Sequence, residues 1–475
     1  MSVEWAFSSL TELARGLSER RYSARELTEH FLGRIERANA KLHAFTEVYS
    51  EEAVAQATAA DRQRASGMSL GPLHGLPIAV KDICDIQGRI GMVGSKAWET
   101  RRGKVTSTAV ARLLTAGMVV LGKTHMVEFA FGGWGTNPLL GTPWNPWDLS
   151  RHRVPGGSSS GSGVAVSAGL APAAIGSDTG GSVRLPAAFN GIVGLKTSSG
   201  LISLYGTFPF SKTLDTIGPL TRSVPDAALL LGALAGQDLH DPGTCGAPAV
   251  VLPDLDAPNV MGMRVALMVE EQWPERVAPA VHRAWHDAVH ILRQLGAVVT
   301  ERVMPFEFSK LAHLCGQLIA SEAYATHRAY IEDERLAIGP QVRARIVAGR
   351  QVSENDYFKL RENQRRAAAQ FVDWMGDSDV MLAPVVSIPA IPVDEIDENI
   401  ALTAFTRPAN YLGACAMALP AGFSPDGLPV AIQLLAKPFD EQALLRLGAA
   451  YERVTGWSRR SPLLDKLFAR TDTSS

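Results

Sequence analysis

Apolar and polar positions alternate along the chain in blocks that read as a repeated helix–strand rhythm. Over 23–39, Leu27, Phe31 and Ile35 recur on one face, and Ser23 with Glu26 forms an S-x-x-E capping box, which together predict a helix. LPIAVKDI at 76–83 reads as a buried strand. Residues 107–116 read as a helix ended by Gly117, and MVVL at 118–121 as the strand after it. The pattern thins over 235–262, which is rich in Pro, Gly and Asp and reads as a long connector. It resumes from 263 with the strand RVALMV, a helix over 276–295 and the strand AVVTERV. Residues 320–376 are charged and mostly helical, DVMLAP at 379–384 is a strand, and a last helix runs over about 440–455 after Asp440. This alternation predicts a layered α/β core with no internal repeat.

Composition narrows the class. The chain has 475 residues, 46% of them hydrophobic, enough for a large core; length alone suggests two or three domains, although large α/β enzymes also run as one unit. Lys and Arg total 46 against 48 Asp and Glu, a net charge of −2, which argues against a nucleic-acid or acidic-membrane binder. The one dense basic run, Arg361 to Arg366, reads as a solvated helix face. Cys84, Cys245, Cys315 and Cys415 lie far apart without a CxxC, so free thiols are expected and neither a disulfide framework nor a zinc site. The N-terminus lacks a basic start followed by an apolar stretch, and no 18-residue apolar run occurs, so the expectation is a cytoplasmic protein without a membrane span.

Two motif matches fail on context. GMVVLGKT at 117–124 satisfies the phosphate-loop pattern, but its middle residues Met118 to Leu121 belong in a strand whose N–H groups go to a ladder. GSSSG at 157–161 satisfies G-x-S-x-G around Ser159, but no buried strand precedes it. The later His282, His286 and His290 sit on a charged helix as solvated positions.

The chemistry gathers around a lysine and a serine-rich stretch. In 76–83, Lys81 shares a face with Ala79 and Ile83, and a buried amine favours its neutral, basic form. The alternative is a strand-end lysine reaching solvent, with Asp82 or Asp85 as partner. PGGSSSGSGVAVSAGLAPAAIGSDTGGSVRLPAAFNG at 155–191 holds many serines and no histidine. A serine nucleophile here needs another base, and Ser–Lys pairs are a known solution. In SDTGGS at 177–182, Gly180 and Gly181 allow several backbone N–H groups to turn toward one point, as an oxyanion hole requires.

LHGLPIAVKD, PGGSSSGS and GSDTGGSVRLPAAFNGIVGLK together resemble the amidase signature family, and GKTHMVEFAFGGWGTNPLLG, LDTIGPLTRSV and LPAGFSPDGLPVAIQLLAKPFDE are similar to further family segments in family order. The resemblance is weakest over 235–375. It implies an α/β fold with a central mixed sheet flanked by helices, in one domain over 1–475: a core at about 60–230, a variable connector and helical region at about 235–375, and a C-terminal core segment at about 376–470. It implies a Ser–cisSer–Lys triad of Ser182 as nucleophile, Ser158 as bridge and Lys81 as base. Oxyanion donors fall on the backbone of Thr179, Gly180, Gly181 and Ser182; Asp178 and Arg184 brace that loop; Ala130, Phe131 and Gly132, with Ser158, line the substrate pocket. The commoner motif has Gly at Ser160 and Ala at Gly163; the added hydroxyl keeps Ser159 and Ser160 as rival assignments.

The implied activity is hydrolysis of amide C–N bonds, with aryl amides, carbamates or esters as small-molecule substrates, through an acyl-enzyme and without metal or organic cofactor. Phe129, Phe131, Trp134 and Trp144 around the pocket point to apolar or aromatic groups, or else pack the core. A homodimer is compatible with the family. The alternatives are an allophanate-hydrolase type of ureido hydrolase, the A subunit of a glutamine-dependent tRNA amidotransferase, and a scaffold with a dead triad. Segment 320–376 does not resemble the corresponding part of that amidotransferase, and intact Lys81, Ser158 and Ser182 argue against a scaffold.

Overall fold

In the computed structural model, described for residues 2–397, 400 and 402–468, eleven strands form a single mixed sheet. They are β1 (Phe45–Val48), β2 (Pro77–Lys81), β3 (Val119–Thr124), β4 (Ala173–Ser177), β5 (Val193–Lys196), β6 (Ile217–Thr221), β7 (Arg264–Met268), β8 (Val298–Arg302), β9 (Val380–Pro384), β10 (Cys415–Phe423) and β11 (Pro429–Ala436). Their order is β1-β3-β2-β4-β6-β5-β10-β11-β9-β7-β8. β3, β2 and β4 run parallel, as do β9, β7 and β8, and the strands between them pair antiparallel.

The central strands are buried on both faces, so they read as continuous apolar runs and not as alternation: every residue of β2, β3, β4 and β11 is buried. Helices cover both faces. The helix Ala24–Leu42 begins at the expected box: Ser23 Oγ accepts from Glu26 N, and the Glu26 carboxylate accepts from Ser23 N. The expected helices at 107–116, 276–295 and 440–455 appear as Thr108–Thr115, Pro279–Gln294 and Glu441–Thr455. β3 extends through Gly122–Lys123–Thr124, so the phosphate-loop look-alike is a strand with buried side chains.

The connector at 235–262 carries little regular structure, one short 3₁₀ turn at Pro242–Thr244. After it, β7 and β8 extend one sheet edge, and the helices Phe308–His327, Pro340–Val347 and Glu354–Met375 build a second apolar cluster with Phe129, Phe210 and Phe405. That cluster stands beside the carboxyl end of β4, where the serine-rich chemistry lies. All four cysteines are free. Among the described residues no helix is long and apolar enough to cross a membrane.

Candidate active site

Lys81 is the last residue of β2, with β3 and β4 on either side, and its side chain is fully buried. The partners that would have drawn it to solvent are engaged elsewhere. Asp82 accepts from Lys123 Nζ at 3.2 Å and from Val93 N at 2.9 Å, and Asp85 pairs with Arg101. Lys81 Nζ instead donates to Ser158 Oγ and to Ser177 Oγ, both at 2.8 Å. Burial pushes its pKa down to about 7, only partly offset by Cys84, Asp178 and Asp215.

Ser158 follows a cis Gly157–Ser158 peptide and precedes the helix Ser160–Ser167. Gly161 in that helix sits where a Cβ would lie 2.3 Å from Ala44 O and 2.5 Å from His125 N, so only glycine lets it seat this close to β1 and β3. Val127 N donates to Ser158 O at 3.1 Å and Gly157 N to Gly133 O at 2.7 Å, which ties the serine turn to the 127–134 segment. There Phe129 and Ala130 are consecutive non-glycine residues at positive φ, 51° and 58°. Such conformations cost about 1–2 kcal/mol each and cluster at functional sites.

Ser182 lies in the turn between β4 and the helix Arg184–Asn190, and its carbonyl accepts from Ser159 N at 3.2 Å. Just before it, Asp178 accepts from Gly181 N at 2.7 Å, from Val183 N at 3.1 Å and from two nitrogens of Arg184 at 3.1 Å. Burial works to raise the Asp178 carboxyl, but Arg184 foremost, with Lys196 and Asn410, outweighs it and holds the group well below the usual range. Arg184 also donates to Thr406 O, Gln433 Oε1 and Asn410 Oδ1. The Gly181 N–H, expected among the oxyanion donors, is therefore held by Asp178 in this structure. The N–H groups of Thr179, Gly180 and Ser182 have no acceptor among the described residues.

Ser182, Thr179 and Gly180 open onto a cavity of ≈ 610 Å³, lined also by Ala130, Phe131, Gly132, Trp134 and Phe210. Ser158, expected to line the pocket, is not among its lining residues, although Gly157 before it is, and Ser159 and Ser160 do not line it either. Ser159 Oγ lies 3.3 Å from both Ser177 N and Ser177 O, and Ser160 Oγ is buried without a partner. Of the four aromatic residues singled out from the sequence, Phe131 and Trp134 line the cavity and two do not. Phe129 packs against Phe208, His327 and Tyr330, and Trp144 stacks on His152.

Several site residues escaped the sequence reading. Ser177 is the second partner of Lys81. Asp215, whose pKa burial raises to about 6, accepts from Thr179 Oγ1 at 2.6 Å. The opposite cavity wall comes from the variable region and the segment after β9: His313, Gly316, Gln317, Arg345, Gln351 and Arg407. The one sequence signal for Asp215 was its place in LDTIGPLTRSV. Glu270, His282 and His286 bring three ligand-type atoms close together on the surface; none of them lines the cavity.

The Amidase family profile matches residues 26–445. The chain belongs to the amidase signature family. It is 36% identical over 471 residues to the A subunit of the glutamyl-tRNA(Gln) amidotransferase of Chloroflexus aggregans, covering 93% of this chain and 95% of that protein. Among solved structures, one from a vestigial protein complex tied to the evolutionary origins of an s-triazine catabolic enzyme superposes with TM-score 0.87 at 32% identity, covering 94% of this chain and 99% of that one. A bacterial aryl acylamidase superposes with TM-score 0.86 at 25% identity, covering 95% and 97%. The chain is thus an amidase-signature hydrolase acting on carbon–nitrogen bonds, with the mixed α/β fold expected. The alignment with that amidotransferase subunit covers 93% of this chain and so runs into 320–376 as well.

Proposed function

We propose that this chain is a stand-alone amidase that forms an acyl-enzyme on Ser182. The observation that carries the reading is the fully buried Lys81, with its pKa lowered to about 7, bonded to Ser158 at 2.8 Å beside the cavity that Ser182 lines. The neutral Lys81 amine takes a proton from Ser158 as Ser158 takes the proton of Ser182. Ser182 Oγ bonds to the substrate carbonyl carbon, and the carbonyl π pair moves onto oxygen, which the free N–H groups of Thr179, Gly180 and Ser182 receive. One such donor is typically worth about 3–4 kcal/mol of transition-state stabilisation. The intermediate collapses, the C–N bond breaks, and Ser158 returns a proton to the departing nitrogen while drawing one from Lys81. Water, activated by the same relay, then cleaves the acyl-enzyme. Asp178 and Arg184 keep the 178–184 turn in shape.

The substrate class is small amides, aryl amides and aryl carbamates among them. The aromatic side of the cavity, Phe131, Trp134 and Phe210, favours a flat apolar group, and the volume is in the range of small-molecule sites, about 300–1,000 Å³. A carbamate presents the same carbonyl and leaving nitrogen. The reading is tested with the purified chain alone against anilides, aryl carbamates and glutamine. Turnover of anilides or carbamates without glutamine, ATP, tRNA or a second protein is the expected result.

A second reading is favoured by the curated relatives, which are named as amidotransferase A subunits. In that case the same triad releases ammonia from glutamine for a partner. Activity confined to glutamine, or arising only when partner proteins are added, would select it over the first.

A further inference from the structure

Arg407 is the unusual group of the cavity. Its Nε is buried with no hydrogen-bond partner, and no side-chain hydrogen bond or ion pair is formed by its guanidinium among the described residues. A buried donor left without an acceptor is costly, and an unseen water, ion or ligand group is one way such a donor is completed. Arg184, only a short way off through Thr406, shows the contrast: its side chain donates to Asp178, Thr406, Gln433 and Asn410.

The guanidinium is also well placed. A Cβ built on Gly180 would lie 3.2 Å from Arg407 Cγ and 3.6 Å from its Nε, and one built on Gly316 would lie 3.0 Å from its Nη1. Arg407 therefore bridges the turn that holds Ser182 and the helix Phe308–His327, with glycine on both sides leaving it room. Arg345 lines the same cavity, and its Nη1 donates to Phe131 O at 3.0 Å. No Asp or Glu among the described residues lines the cavity. The neighbouring Cys315 thiol is pushed up to about 12 by burial and supplies no negative charge at neutral pH.

We propose that Arg407 receives a carboxylate of the substrate, so that the preferred amides carry an anionic group on a short acyl chain. This rests on Ser182 being the nucleophile of the cavity. Guanidinium and carboxylate match in a planar, two-bond fork, a geometry that a lysine ammonium does not reproduce. Gly180 carries one of the free N–H groups and touches the Arg407 side chain, so the scissile carbonyl and the anion are separated by a few bonds. Phe131, Trp134 and Phe210 are left to the leaving group.

The test uses full-length protein and matched probes: the p-nitroanilides of succinic acid, butyric acid and 4-aminobutyric acid. In parallel, succinamate and butyramide compete against labelling of Ser182 by a fluorophosphonate. The wild type is expected to favour the succinyl over the butyryl anilide by at least about tenfold in kcat/KM, with the cationic probe poorest, and succinamate is expected to slow labelling more than butyramide does. In Arg407→Met both ratios fall toward one, and Arg407→Lys recovers part of them. Equal or better handling of the butyryl compounds by wild type, or ratios unchanged in Arg407→Met, would overturn the proposal. Ser182 labelling itself reports on the nucleophile, so its absence strikes the amidase reading and an absent charge preference strikes Arg407 alone. The wild-type ratios stand as a test even where a variant fails to fold.

Discussion

Lys81 Nζ donates to Ser158 Oγ across 2.8 Å, from the end of one parallel strand to a turn 77 positions later in the chain. Among the described residues no acidic side chain bonds the amine: its hydrogen-bond partners there, Ser158 and Ser177, are hydroxyls, and the carboxylates that act on it do so from a distance. Desolvation therefore prevails, and the lysine sits near the point where it loses its proton at neutral pH.

This fixes the direction of the pH dependence. The proposed relay needs the neutral amine, and the folded-state pKa is about 7 against an ordinary 10.5, so activity is expected to rise with pH through about 7 and level above it. Lys81→Ala should remove that limb and lower kcat/KM by about 10²–10⁴. The pH profile of kcat/KM in the two proteins checks it; an unchanged ascending limb in the variant would assign the titration to another group.

The buried pair of Asp178 and Arg184 should matter to stability as well as to activity. Both side chains are fully buried, and removing either leaves a charge without its partner, which costs about 3–5 kcal/mol. Arg184→Met and Asp178→Ala should each lower the midpoint of urea denaturation accordingly. The folded pKa of Asp178 is depressed, so its contribution is present above the unfolded carboxylate value of about 3.9 and is lost as pH falls below it. Acid titration of stability should therefore be shallower in Asp178→Ala than in wild type.

Gly181 holds φ +130°, and a Cβ there would lie 2.4 Å from Thr406 Oγ1. Gly181→Ala should move the 179–182 turn, lowering kcat by about 10²-fold or more, in the range expected for loss of an oxyanion donor, with a smaller change in KM. Steady-state kinetics separate the two. Thr406→Ser, which keeps the hydroxyl that donates to Gly180 O, should be far milder.

Much of the frame was legible before the fold. The capping box at Ser23 and Glu26, the strand at 76–83 and the strand-like middle of GMVVLGKT follow from local spacing alone, and each appears in place. Lys81, Ser158 and Ser182 stood out because local rules were broken: a lysine in an apolar strand, and glycine pairs beside serines. The structure adds that Lys81 bonds Ser158 Oγ and that the next residue, Ser159, donates its N–H to Ser182 O. What was hidden came from tertiary placement. Arg407 and Arg345 lie in segments whose pattern reads as ordinary charged helix and loop, and only the packing of the helix Phe308–His327 brings them to Ser182's cavity. Ser177 looked like one more small residue. Phe129 and Trp144 show the converse: near the site in sequence, Phe129 turns into the core and the half-buried Trp144 stacks on His152.

The most direct test of Ser182 as nucleophile is the location of a fluorophosphonate adduct by peptide mass spectrometry. Ser182 lines the cavity, Ser159 Oγ lies 3.3 Å from backbone atoms of Ser177, and Ser160 Oγ is buried away from the cavity. The expected result is one adduct, on Ser182, with labelling and turnover abolished in Ser182→Ala and retained in Ser159→Ala and Ser160→Ala. An adduct on Ser159 or Ser160, or undiminished turnover in Ser182→Ala, would contradict it.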